Sequence, residues 1–157
     1  KQTDIMSFIE PESSGFHYDT ARSFLKRHSN PESLMLQLKS LLSKGQLESC
    51  RDLIQLIIRE GHVLADHSET YLLRAELAYL KADNKGEIMA WVQQAKLCET
   101  LSPSVVKWDE LVYATTALAE GDYVNGQLIL EKLMESDEVA HLAQFELAYH
   151  LFWKNVD

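Results

Sequence analysis

His62, Asp66 and His67 fall within six positions of one another, and imidazole and carboxylate are donors that a divalent ion such as zinc accepts. This is the densest group of chemically competent side chains in the chain. Paired histidines in a connecting loop are more often solvated than ligated, so the group is read as a loop that holds no metal. The other four histidines, at 17, 28, 141 and 150, are scattered. HExxH, Cys-x-x-Cys, Gly-x-Ser-x-Gly and glycine-rich phosphate loops do not occur in the sequence. Carboxylates fall at helix starts or on polar faces, where solvation and the helix dipole account for them. The expectation is a protein with no catalytic residues and no cofactor. Cys50 and Cys98 sit among apolar neighbours in predicted helices and are read as free, buried thiols. Such thiols point to a reducing compartment, the cytoplasm or nucleus.

Composition narrows the class further. With 157 residues and 46% apolar content the chain can build a continuous core without disulfides. Three prolines and six glycines leave Leu, Ala, Glu, Gln and Lys dominant, which favours helix. A formal charge of −9 repels phosphate backbones and anionic lipid, so no nucleic acid is expected as a partner. The small basic cluster Arg22, Lys26, Arg27 and His28 is read as a solvated helix face. Apolar runs stay well short of the roughly 20 residues that span a bilayer, and no signal-peptide pattern is present. No membrane insertion is expected.

The elements that must position any site are helices. Residues 1–17 show no sustained period and are expected to form an extended arm, although Ile5, Met6, Phe8, Ile9 and Phe16 make it unusually apolar for a linker. It is expected to pack on the chain's own surface or to serve as a linear element for a partner. From 18 onward one helical domain is expected. A short helix capped by Asp19 carries Ala21, Phe24 and Leu25 and ends near His28. Asn30-Pro31 opens a helix with stripe Leu34, Leu38, Leu41 and Leu42. Gly45 breaks it, and Leu47 to Arg59 presents Cys50, Leu53, Ile54, Ile57 and Ile58 inward before Gly61. After the loop 62–67, Ser68 caps a helix reaching about Asp83, and Asn84-Lys85-Gly86 turns into Glu87–Leu101 with Ile88, Trp91, Val92, Ala95 and Cys98 inward. Ser102-Pro103 repeats the cap-then-proline start. The third pair, Trp108 to Leu133, turns at Gly121 with Asp122 as cap. Ser136 or Asp137 caps a last helix, Glu138 to about Asn155, that is apolar around much of its circumference.

Three helical pairs in succession invite a test for repetition. Aligning Gly45, Lys85 and Gly121 at the turn places Leu38, Ala78 and Ala114 at one helix crossing and Cys50, Ala90 and Gly126 at its partner position. Five of these six are small. A third core position reads Ile57, Leu97 and Leu133, and Pro103 stands near the end of a unit. This pattern resembles the tetratricopeptide repeat, a module of about 34 residues that binds proteins. Arg74 and Glu110 depart from it, falling where that family places large apolar residues. The resemblance implies an all-α fold of about three stacked antiparallel hairpins in a right-handed superhelix, with a flanking helix at each end as caps.

The resemblance also implies a concave groove lined by the first helix of each hairpin. In the first copy the lining includes Met35 and Lys39, in the second Leu72 and Tyr79, and in the third Trp108, Leu111 and Thr115. Lys39 is a single cation there, so capture of an acidic peptide terminus is disfavoured. A lining of this kind suits an apolar or amphipathic peptide or helix of a protein partner, anchored on Tyr79 and Trp108. The competing reading has Trp108 filling core. Three functions follow: a scaffold or adaptor, a dedicated chaperone for an aggregation-prone subunit such as those of secretion systems, or an irregular bundle that assembles as a dimer. For the last, Phe145, Leu151, Phe152 and Trp153 give the final helix more apolar surface than one buried face requires.

Overall fold

The computed structural model describes residues 16–28, 30–81, 85–136 and 138–154. Eight α-helices account for most of them: α1 Phe16–Arg27, α2 Pro31–Ser43, α3 Leu47–Glu60, α4 Ser68–Leu80, α5 Lys85–Lys96, α6 Ser104–Ala119, α7 Tyr123–Leu133 and α8 Ala140–Lys154. A single 3₁₀ turn, Val63–Asp66, separates α3 from α4. No strand occurs among the described residues, and the protein is all-α. The chain divides after Ser102 into two compact units, treated separately below.

Local chemistry sets the helix ends. The Asn30 side chain accepts the Ser33 N–H at 3.1 Å, and Pro31 occupies the first helical position, where a missing N–H leaves nothing unbonded. Gly45, Gly61 and Gly121 have φ of 76°, 65° and 91°, a region L side chains avoid, so the chain can reverse there. At Gly61 the α3 carbonyls are closed by the His62 N–H on Ile57 (3.1 Å).

In the first unit, α3 packs against α1, α2 and α4. Leu34 and Leu38 of α2, Leu53, Ile54, Leu56 and Ile57 of α3, Leu64 of the 3₁₀ turn and Leu77 of α4 form one buried cluster. At about 1.5–3 kcal/mol per buried aliphatic side chain, this cluster is the main stabiliser of the unit. Close approach of α2 and α3 is marked by the Cys50 thiol, which donates to the Leu38 carbonyl at 3.6 Å. Helices α4 and α5 pair through buried Tyr71, Ala75 and Ala78 on one side and Ile88, Trp91, Val92 and Ala95 on the other. The open end of that hairpin is clasped. Ser68 N–H donates to Thr100 O (2.9 Å), Thr100 N–H to Asp66 O (3.2 Å), Glu99 N–H to Asp66 Oδ1 (3.1 Å) and Ser102 N–H to Ser68 Oγ (2.6 Å).

The second unit is a hairpin, α6 and α7, with α8 against α7. Leu111, Ala114 and Ala117 of α6 are buried, as are Gly126, Leu130 and Leu133 of α7. Val139, Leu142 and Ala143 are the buried positions at and before the first turns of α8. A methyl group at Gly126 would lie 2.5 Å from Leu118 Cδ2 and 3.1 Å from the Ala114 carbonyl. Only glycine lets α6 and α7 approach this closely.

Several expectations need correction. Phe16 and His17, expected in the arm, belong to α1, and Asp19 lies in the first turn of that helix instead of capping it. Residues 1–15, with Ile5, Met6, Phe8 and Ile9, lie outside the described residues. So do Ala82, Asp83, Asn84 and Asp137. Helix α4 ends at Leu80, and Ser68 is its first residue; its hydroxyl serves Ser102 and leaves its own helix uncapped by a side chain. Ser102 does not cap α6, because its hydroxyl donates to Glu69 Oε1 (3.5 Å). Asp122 stands at the start of α7, with its carboxylate accepting from Asn125 Nδ2 (3.0 Å) and from no backbone N–H of that helix. Leu97, expected in the core, lies beyond the end of α5 and is 64% exposed, while its neighbour Cys98 is buried.

Candidate interaction surface

Helix α8 has two unlike sides. Leu142, Ala143 and Glu146 are buried, whereas Phe145 (57% exposed), Tyr149 (52%), Phe152 (61%) and Trp153 (55%) face outward. Positions 145, 149 and 153 recur at i, i+4 and i+8, which places them along one stripe of the helix. Their rings touch in sequence. Phe145 and Tyr149 are stacked with centroids 6.2 Å apart, Tyr149 and Trp153 lie at 5.9 Å, and Phe152 meets Trp153 edge-on at 5.5 Å. On the α7 side, the Tyr123 ring lies 5.0 Å from His150. Aromatic side chains bury about 150–250 Å² each when covered, so four half-exposed rings present on the order of 400 Å². A patch of that size matches the largest apolar patch of a typical monomer, which is often a functional surface.

The seven residues assigned to a groove are placed differently. Leu72 of α4 and Leu111 of α6 are buried, and Trp108 retains 4% of its surface. Met35 packs against the core cluster of the first unit. Lys39 is exposed and pairs with Glu69 at 3.1 Å, joining α2 to α4. Tyr79 and Thr115 are half-buried, and the Thr115 hydroxyl donates to the Val112 carbonyl one turn back (3.0 Å). Met35, Lys39, Leu72 and Tyr79 belong to the first unit, and Trp108, Leu111 and Thr115 to the second.

Groups with chemical potential are occupied by structure. His62 Nδ1 accepts the Leu64 N–H (3.1 Å), and Asp66 accepts from Glu99. Among the described residues no group of three or more His, Cys, Asp or Glu is arranged to hold a metal ion. Burial pushes the Cys50 thiol up to about 12 and the Cys98 thiol to about 11, so neither is a thiolate at neutral pH. Tyr71 is likewise raised to about 12 by burial, and its hydroxyl donates to the Ala65 carbonyl at 2.6 Å. Glu48 is held below its ordinary value by the hydrogen bond from Lys81. Arg74, the polar intruder in the sequence pattern, is buried between helices. Its Nη2 lies 3.1 Å from Glu87 Oε1 and its guanidinium 4.9 Å from the Trp91 ring centroid, while Trp91 Nε1–H donates to the same carboxylate oxygen (3.3 Å).

Beside Phe145, Leu151, Phe152 and Trp153, expected to be apolar excess on the last helix, Tyr149 joins Phe145 to Trp153. The signal was available in the spacing of the three rings. No described helix is long and apolar enough to cross a membrane. No family model, curated protein or solved structure matches the chain.

Proposed function

We propose that this chain is a protein-binding helical module of the tetratricopeptide type, acting by docking a partner and not by catalysis, with the aromatic stripe of α8 as its docking surface. The observation that carries the reading is the chain of exposed rings from Phe145 through Tyr149 to Trp153. Rigid aromatic side chains lose little conformational freedom when covered and are enriched among the residues that dominate binding energies. Their contacts with one another hold them in place before a partner arrives. The repeat character is supported by two equivalent helix crossings, Cys50 on Leu38 and Gly126 on Ala114. Leu72, Trp108 and Leu111 are packed away, so α8 takes the place of the groove as the surface for an apolar segment. Two free, buried thiols support a reducing compartment.

Site-specific photocrosslinking in cells tests the surface. A benzoylphenylalanine at position 149 is expected to give one discrete protein adduct, and the same probe at exposed Ser49 of α3 none. Equal labelling from both positions, or none from 149, overturns the assignment.

A further inference from the structure

Charge is distributed unevenly along the chain. After Ser102 the basic side chains are Lys107, Lys132 and Lys154, against ten Asp and Glu; up to Ser102 twelve basic side chains meet fourteen acidic ones. Seven of the nine excess negative charges therefore belong to the unit that bears the aromatic stripe. On α8 the one carboxylate, Glu146, is buried. The stripe is uncharged, and exposed carboxylates stand on the same unit at Glu120, Asp122, Glu131, Glu135 and Glu138.

We infer that the occupant of the α8 stripe is a basic amphipathic helix of a partner protein, its apolar face on Phe145, Tyr149 and Trp153 and its Lys and Arg side chains in the field of the unit's acidic excess. This rests on the stripe being a docking surface. Charge complementarity selects the class: a negative field raises the encounter rate of cationic partners and rejects anionic ones. A second copy is a poorer occupant, because face-to-face pairing of the stripe would oppose two strongly acidic units. Anionic membranes are repelled by the same field. The stripe runs about 12 Å from Phe145 to Trp153, a length that the i, i+4 and i+7 anchors of two to three turns of a partner helix cover.

Two synthetic 18-residue helical peptides with one apolar leucine stripe, one with Lys and one with Glu at every polar position, are titrated calorimetrically into the full chain. The Lys peptide is expected to bind at least about tenfold more tightly than the Glu peptide. Its affinity should fall severalfold as screening increases toward about 1 M salt. Tyr149→Ser with Trp153→Ser should weaken it about tenfold or more at unchanged helix content, both rings being exposed; Phe145→Ser alone gives a milder check on the same stripe. If both peptides bind equally and both are lost in the double variant, the stripe is a docking surface but the choice of a basic partner is overturned. If Lys-peptide binding survives the double variant, the stripe is not the site, and both readings fall. If sedimentation finds a dimer that the double variant converts to monomer, the occupant is a second copy and the inference is overturned.

Discussion

The Cα of Gly126 faces the Ala114 carbonyl so closely that a methyl group there would stand 3.1 Å from its oxygen and 2.7 Å from Leu118 Cγ. Helices α6 and α7 cross at this point, and their separation depends on the missing side chain. Gly126→Ala is therefore expected to destabilise the protein despite alanine's helix preference. That preference is worth about 1 kcal/mol, whereas overpacking a close contact costs about 1–3 kcal/mol. The Leu118 side chain must shift to admit the methyl group, and the Ala114 carbonyl, fixed in the backbone of α6, has little room to give. A fall in Tm of a few degrees in a thermal scan is expected; a rise would show that the crossing has slack.

For Arg74 and Glu87 one removal is worse than two. Glu87→Gln removes the carboxylate that pairs with the buried guanidinium, and breaking such a pair from one side costs about 3–5 kcal/mol. Glutamine still offers an oxygen to Trp91 Nε1–H. Arg74→Met combined with Glu87→Gln removes the guanidinium as well and is expected to recover most of the loss in urea unfolding followed by tryptophan fluorescence. A double variant no more stable than Glu87→Gln alone would mean that the pair carries the hairpin through its own attraction.

Ser68 is fully buried and its hydroxyl accepts the Ser102 N–H. Ser68→Ala takes that acceptor away and leaves the amide unsatisfied, at about 1–3 kcal/mol. The effect should be local. Amide exchange at Ser102 and Thr100 is expected to accelerate about tenfold or more, while amides in α2 and α3 keep their protection; unchanged exchange at Ser102 would show that the hydroxyl is dispensable.

The two thiols and Tyr71 predict behaviour in base. In the unfolded chain a cysteine titrates near 9 and a tyrosine near 10, whereas in the folded protein burial raises Cys50 to about 12, Cys98 to about 11 and Tyr71 to about 12. Folded values above unfolded ones mean that the native state holds these protons more tightly. Their contribution is complete below pH about 9 and is lost progressively as pH rises toward 11 and 12. Denaturant midpoints should thus fall between pH 9 and 11. At pH 8 a disulfide reagent should titrate two thiols per chain only after unfolding; rapid reaction of native protein would contradict the burial.

Much of the fold was legible in the sequence because the responsible interactions are local. Asn30-Pro31, Gly45, Gly61 and Gly121 mark helix ends through backbone chemistry that a few neighbouring residues determine. The stripes of α2, α3 and α5 followed from period. What was missed depends on partners distant in sequence. Ser68 reads as a cap for the helix it begins, yet its hydroxyl serves an amide 34 residues away. Leu97 and Cys98 are adjacent, and nothing short of knowing where α5 stops decides which faces inward. Trp108 has the same composition signal whether it fills a core or anchors a ligand. The α8 rings were visible as excess apolar surface, but their continuity required Tyr149, whose hydroxyl sets it apart from a count of purely apolar side chains.

The clasp between residues 66–68 and 99–102 has a mechanical meaning. His67 and Thr100 pair in parallel, and the chain enters at one end of the short ladder and leaves at the other. Tension drawn along the backbone reaches Asp66 and Ser102 first, so it loads the ladder's hydrogen bonds together in shear and bypasses α4 and α5. The hairpin lies inside the loop that the ladder closes, so the ladder's hydrogen bonds carry the load before the pairing of α4 with α5 does.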